Sequence, residues 1–138
     1  MEFINFLIGY IRFVEPLLHE LTFHSEENTL ELAFANQQGR ARRIAIRFHP
    51  KYIVKDEELS MIIEKSKMKA AAVSLRGMAI GDSFLIFLAN CDKMTNVRSF
   101  DISHCPKITD SALNLLLASP FCKGLAVLKV NGLPLPDL

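Results

Sequence analysis

The chain has 138 residues, 50% of them hydrophobic and 22% charged, with 16 Lys and Arg against 15 Asp and Glu. That is the composition of one globular domain with a core of its own, not of a disordered segment. A net charge of +1 supplies no global field toward nucleic acid or anionic lipid, three cysteines without a C-x-x-C pair argue against a disulfide scaffold, and the longest stretch without a formal charge, 111–122, is too short to cross a bilayer.

At the N-terminus Glu2 precedes the apolar run, and Arg12, Glu15 and Pro16 follow it. This fits neither a signal peptide nor a mitochondrial presequence and predicts an intracellular, cytoplasmic protein. Within 2–21, Phe3, Leu7, Tyr10, Val14, Leu17 and Leu21 stand four and three apart and predict one apolar helical stripe, widened by Ile4, Phe6, Ile8 and Phe13. Pro16 should kink that helix, or start a second one with Glu15 as its cap. A coiled-coil seam or a membrane-surface anchor would use such a stripe. The polar face of Glu2, Asn5, Arg12, Glu15 and Glu20 lacks the basic residues an anchor needs, so a capping helix is preferred. Next, Leu30, Leu32 and Phe34 alternate, and so do Ile44, Ile46 and Phe48, with Asn36-Gln37-Gln38-Gly39 between them. This predicts a β-hairpin of 29–35 and 42–48 with Gly39 at positive φ. Its second strand is expected to double as the first strand of the following sheet.

A repeat follows. Val73-x-Leu75, Phe100-x-Ile102 and Leu128-x-Val130 are each followed by a tucking apolar residue (Ile80, Ile108, Leu135) and an aspartate (Asp82, Asp110, Asp137). A degenerate copy, Ile44-x-Ile46 with Val54 and Asp56, precedes them, so the aspartates recur with a period of about 27 residues. Alternate apolar residues predict a short strand with one buried face. Each aspartate is expected to N-cap the helix behind it, carried by Leu59, Ile62 and Ile63, by Leu85 and Leu88, and by Leu113, Leu116 and Leu117. Such units bury both faces only by stacking.

Phe100-Asp-Ile-Ser-His-Cys105-Pro-Lys-Ile-Thr-Asp110-Ser-Ala-Leu113 resembles a leucine-rich repeat of the cysteine-containing type, most closely over 98–118. In the unit at 73, Gly77 and Met78 stand where the Cys would be. The family occurs in F-box substrate receptors of ubiquitin ligases and in short accessory proteins of the type of coupling factor B of the mitochondrial ATP synthase. The resemblance implies a curved α/β solenoid that binds protein, without catalytic residues. It also leaves the mitochondrial matrix open as an address. The Leu-Pro start and closing Trp of an F-box are missing; the chain has no Trp.

Cys91, Cys105, Cys122 and His104 lack the close spacing of a zinc site, so no metal and no cofactor is expected. Asp82 and Asp110 read as caps rather than a catalytic carboxylate pair, and no nucleophile-base set or phosphate loop stands out. A basic patch of Arg40, Arg42, Arg43, Lys51 and Lys55, with Arg47 among them, could meet an acidic protein or RNA. Glu26, Glu27 and Glu31 on the opposing hairpin arm could neutralise part of it. Strand positions facing away from the core predict a concave binding face in two rows: Ala45, Ser74, Asp101 and Lys129, then Arg47, Arg76, Ser103 and Asn131. After Val130 the chain turns through Gly132-Leu133-Pro134-Leu135 with no further helix. Leu133, Leu135 and Leu138 are expected to fold under as a cap, or a partner to cover the end.

The expectation is therefore an α/β chain in one packed domain. Residues 1–50 form a helix and β-hairpin cap, and 51–138 form a short leucine-rich-repeat solenoid of parallel strands backed by helices. Its function is non-catalytic protein binding, as an accessory or scaffold subunit of a larger complex. The alternatives are a substrate adaptor of an F-box-type ubiquitin ligase, a small enzyme, and RNA binding through 40–55.

Overall fold

The computed structural model of the chain describes residues 2–14, 18–35, 38–66, 69–92 and 94–134. Helix α1 (Glu2–Val14) buries Ile4, Leu7, Ile8 and Ile11, residues at positions i, i+3, i+4 and i+7 as one helical face requires. Of the expected stripe Leu7, Ile4 and Ile8 are buried and Tyr10 is half-buried against the core; Ile11 joins them, while Phe3, Phe6 and Phe13 are exposed. The helix also does not reach residue 21. Leu18–His24 is a strand, β1, and the expected kink at Pro16 lies outside the described residues. The cause of the difference is a β-bulge. Leu18 pairs with Phe34 but Glu20 already pairs with Ala33, so β1 carries one extra residue. Leu18, Leu21 and Phe23 therefore all face the core at spacings of three and two, and the first of these imitates a helix.

Strands β2 (Thr29–Ala35) and β3 (Ala41–Arg47) form the expected hairpin, with Gly39 at φ +77. Leu30 and Leu32 are fully buried, while Ile44 and Ile46 opposite them are only half-buried. Asn28, itself at φ +50, closes the β1–β2 turn and ties it to the next connector. Its amide donates to the carbonyls of His49 and Tyr52, both at 2.8 Å.

Beyond helix α2 (Asp56–Ser66) come β4 (Ala72–Ser74), α3 (Asp82–Ala89), β5 (Ser99–Asp101), α4 (Asp110–Leu117), α5 (Pro120–Lys123) and β6 (Val127–Lys129). The result is α/β: one six-stranded sheet in the order β3-β2-β1-β4-β5-β6, antiparallel across the first three strands and parallel from β1 onward. The strand parallel to β4 is β1, not the second hairpin strand. β3 instead forms an outer edge, because β2 already occupies one side of it and β1 offers β4 the free side nearer the middle. The copy of the repeat expected at Ile44–Leu59 is therefore split. Val54, Leu59, Ile62 and Ile63 are buried as its helical part requires, but its strand lies three places away from β4.

The later units share one geometry. Short strands are extended by backbone bonds from Leu75 N to Asp101 O and from Gly77 N to Ser103 O, both 2.8 Å, and from His104 N to Asn131 O, also 2.8 Å. Each strand then turns through a left-handed residue at the same repeat position: Gly77 (φ +75), His104 (φ +59) and Gly132 (φ +76). Ile80 and Ile108 tuck into the core. The helix caps differ from the expected pattern. The N-caps of α3 and α4 are Gly81 and Thr109, and Asp82 and Asp110 are the first helical residues. The aspartates of α2 and α3 serve the next helix along. The Asp56 carboxylate accepts from Gly81 N at 3.0 Å, from Phe84 N at 3.3 Å and from the Ser83 hydroxyl. Parallel units set helix N-termini side by side, so a carboxylate in one first turn reaches the free N–H groups of its neighbour.

One core joins every element, from Ile4 of α1 to Leu133 after β6. At the hairpin end Phe48 is buried edge-on against Phe3 and Tyr52, with ring centres 5.1 and 5.9 Å away. At the other end Leu133 folds under as expected, whereas Leu135 and Leu138 lie outside the described residues.

Candidate protein-binding face

The helices pack on one side of the sheet; the other side carries charged, small polar and small apolar side chains, with Val127 exposed at its end. Strand alternation and register assemble it. One row runs Ala45, Glu31, Thr22, Ser74, Asp101, Lys129 across all six strands. Beside it runs Arg43, Ala33, Glu20, Ala72, Ser99, Val127. A third row starts Arg47, Thr29, His24 and continues, beyond the formal strand ends, into Arg76, Ser103 and Asn131. Of the two rows read from the sequence, Ala45, Ser74, Asp101 and Lys129 lie in register on one side of the sheet, with Glu31 and Thr22 inserted between Ala45 and Ser74; Arg76 and Asn131 follow beyond the strand ends as exposed residues, and Ser103 is buried. Glu20, Thr22, His24 and Glu31 enter from β1 and β2. The signal for them was the alternation of Thr22 and His24 with Leu21 and Phe23, which the bulge at 18–20 obscured.

Not every expected residue is available. Ser103 is fully buried, and its hydroxyl accepts from Asn131 N at 3.0 Å, so it closes β5 against the chain after β6 instead of facing a partner. Asp101 is half-exposed, and its carboxylate accepts from Ser103 N at 2.9 Å. Arg76, Lys129 and Asn131 are exposed, and Ser74 is half-exposed between them. Toward β3, Glu31 is held between Arg43 at 2.5 Å and His24 at 3.5 Å, diagonal neighbours on adjacent strands.

At the carboxyl ends of β1, β4 and β5 this face deepens into a cleft of about 510 Å³ lined by Thr22, His24, Glu27, Ser74, Arg76 and His104 among others. A second cleft of about 440 Å³ adjoins it under the β1–β2 turn and reaches Arg47, Tyr52 and Met78. Strand ends of parallel sheets are where such crevices form, because strands stop there while their connections diverge.

The basic patch is not one surface. Arg42 and Arg43 are successive residues of an edge strand and point to opposite faces, Arg40 precedes the strand, and Lys51 and Lys55 lie in the connector beyond its far end. Glu31 does neutralise one member, Arg43. Among the described residues no three His, Cys, Asp or Glu side chains come together as metal ligands. The cysteines serve the packing. Cys105 is buried, its thiol donates to Leu75 O at 3.3 Å, and burial in the first place pushes its pKa up to about 11. Burial also raises Cys122. Tyr52, which donates to Glu58, is pushed up to about 12 by burial, then by that hydrogen bond and the carboxylate charge. No described helix is long and apolar enough to cross a membrane. No family model, curated protein or solved structure matches the chain.

Proposed function

We propose that this chain is a non-catalytic protein-binding module, an intracellular, cytoplasmic accessory or scaffold subunit of a larger assembly, built as a short leucine-rich-repeat type solenoid with an N-terminal cap. One observation carries the reading. A rigid six-stranded sheet has one face covered by helices and the other left free, with charged and small polar side chains in register across it. Arg76 and Lys129 stand there as long, flexible cations beside small neighbours, an arrangement suited to docking a complementary protein surface. The solenoid reading draws support from the three parallel strands with left-handed turns at one repeat position and from the helix-to-helix aspartate contacts.

The test is affinity purification of the tagged full chain at native abundance, with quantitative mass spectrometry, beside the double variant Arg76→Glu/Lys129→Glu. A partner recovered at fixed stoichiometry with the wild type and lost from a folded double variant supports the reading. A chain recovered alone, or a partner indifferent to the substitutions, sinks it. Ligase components among the partners would move the assignment to a substrate adaptor.

A further inference from the structure

The outer edge of the sheet at β3 is the feature least explained by the fold. It is a full seven-residue strand, Ala41–Arg47, and among the described residues only β2 pairs with it, so every second residue directs its N–H and C=O outward. The opposite edge, β6, offers three residues, Val127–Lys129. The two faces of β3 are unlike. Arg43, Ala45 and Arg47 stand on the polar face of the sheet, and Ile44 and Ile46 on the core side with Arg42 exposed at its end; there Leu32 and Leu30 beside the isoleucines are fully buried but Ile44 and Ile46 are only half-buried. The apolar layer therefore runs to the edge and is left open there. Among the described residues Arg42 and Arg47 have no ion-pair partner, while Arg43 has Glu31.

We propose that β3 receives, by strand addition, an extended segment of a partner protein that alternates acidic and apolar residues. Backbone pairing would extend the sheet by one strand. The alternation places acidic side chains opposite Arg43 and Arg47 on the polar face and apolar ones over Ile44 and Ile46, closing the core layer. Charge favours an acidic occupant. A second copy pairing edge to edge would add its own Arg42, Arg43 and Arg47 to an edge where Arg42 and Arg47 have no ion-pair partner among the described residues, raising the local positive charge, whereas an acidic strand is drawn to it. The proposal rests on the protein-binding reading and adds the chemistry of one bound segment.

The probe is a capped synthetic peptide of alternating Glu and Val, titrated into the isotope-labelled full chain and followed by NMR, with alternating Lys and Val as the control. Strand addition predicts shifts and slowed amide exchange concentrated in Ala41–Arg47. It also predicts affinity for the Glu peptide about tenfold or more above that for the Lys peptide, and loss of binding when alternate peptide nitrogens are methylated. Arg47→Glu should reduce or reverse the preference, and Arg43→Glu gives a second reading at the other end of the strand. Equal affinity for both peptides, or no binding at millimolar peptide, overturns the proposal and makes the arginines guards against aggregation. Shifts at Ser74, Arg76 and Lys129 instead of β3 also overturn it but leave the sheet face standing as the binding surface.

Discussion

The carboxylate of Asp82 binds both hydrogen-bond donors of Thr109: one oxygen accepts its backbone N–H at 2.9 Å and the other its hydroxyl at 2.7 Å. Thr109 is the N-cap of α4, and its hydroxyl oxygen in turn faces Ala112 N at 3.4 Å. Asp82 thus orients the capping group of the next helix rather than capping its own.

Asp82→Ala and Thr109→Ala are each expected to cost about 0.5–1 kcal/mol, the lower part of the range for exposed caps. Because they act through one contact, the double variant should lose less than the sum, by about 0.5 kcal/mol. Urea unfolding of the four proteins measures this. Strict additivity would show that the contact contributes nothing.

Asp56→Ala should cost more, about 1–2 kcal/mol. The N-cap of α3 is Gly81, which has no side chain to cap with, so among the described side chains the Asp56 carboxylate alone accepts from Gly81 N and Phe84 N. Asp56→Asn should keep part of the loss at bay, since an amide oxygen still accepts. The same denaturation series compares Asp56 with Asp82, and equal losses would refute the distinction.

Gly132→Ala is predicted to destabilise by about 1–2 kcal/mol. Gly132 sits at φ +76, and an added Cβ would stand 2.5 Å from His104 Nδ1. His104 is itself left-handed at φ +59, the strained member of the column. His104→Gly in the Gly132→Ala background should therefore recover part of the loss by removing the ring and relaxing the turn. Thermal melts decide it. No recovery would mean that backbone strain at 132 carries the whole effect.

Alkaline pH should loosen the fold through Cys105. Burial pushes its thiol from 9.0 to about 11, so the folded chain holds this proton more tightly than the unfolded chain. The contribution is complete below about pH 9 and is lost as pH rises toward 11. Tyr52, pushed from 10.0 to about 12, adds to the fall at higher pH. Melting temperature plotted from pH 8 to 11 should drop less steeply for Cys105→Ala than for the wild type, whatever the offset at neutral pH. Parallel slopes would rule out the thiol.

Phe100→Ala should cost about 3–5 kcal/mol, because a fully buried ring at the centre of the parallel strands leaves a cavity and deprives Phe121 of its edge-on partner at 5.4 Å. Phe13→Ala, at a side chain 81% exposed, should stay within about 0.5 kcal/mol. Chemical denaturation of both variants tests whether core and surface are divided as described.

The legible parts of the chain were those where local pattern and tertiary role coincide. Leu30, Leu32, Ile44 and Ile46 alternate because their hairpin has one buried side, and Gly39 marks its turn. Ile80, Ile108 and Cys105 could be read as buried because a repeat imposes the same environment on each copy. Ser74, Arg76, Asp101 and Lys129 could be placed on one face for the same reason, since period-two alternation is a property of the strand itself. β1 was hidden because its bulge shifts Leu18 out of step with Leu21 and Phe23. Ser103 was misplaced because a strand's last outward residue can fold against a neighbour, and only Asn131 reveals that.

By itself, the sequence determined the hairpin, the strand-to-helix period of about 27 residues and the shared side of Ser74, Asp101 and Lys129. These follow from spacing along the chain, which burial on one face enforces. Tertiary structure alone decided the strand order that puts β1 in the middle and β3 on the edge, the passing of each aspartate to the next helix, and the stacking of His104 over Gly132. Each of these depends on which free edge or helix end lies closest in space. That distance is set by packing between units more than 20 residues apart, where local pattern carries no information.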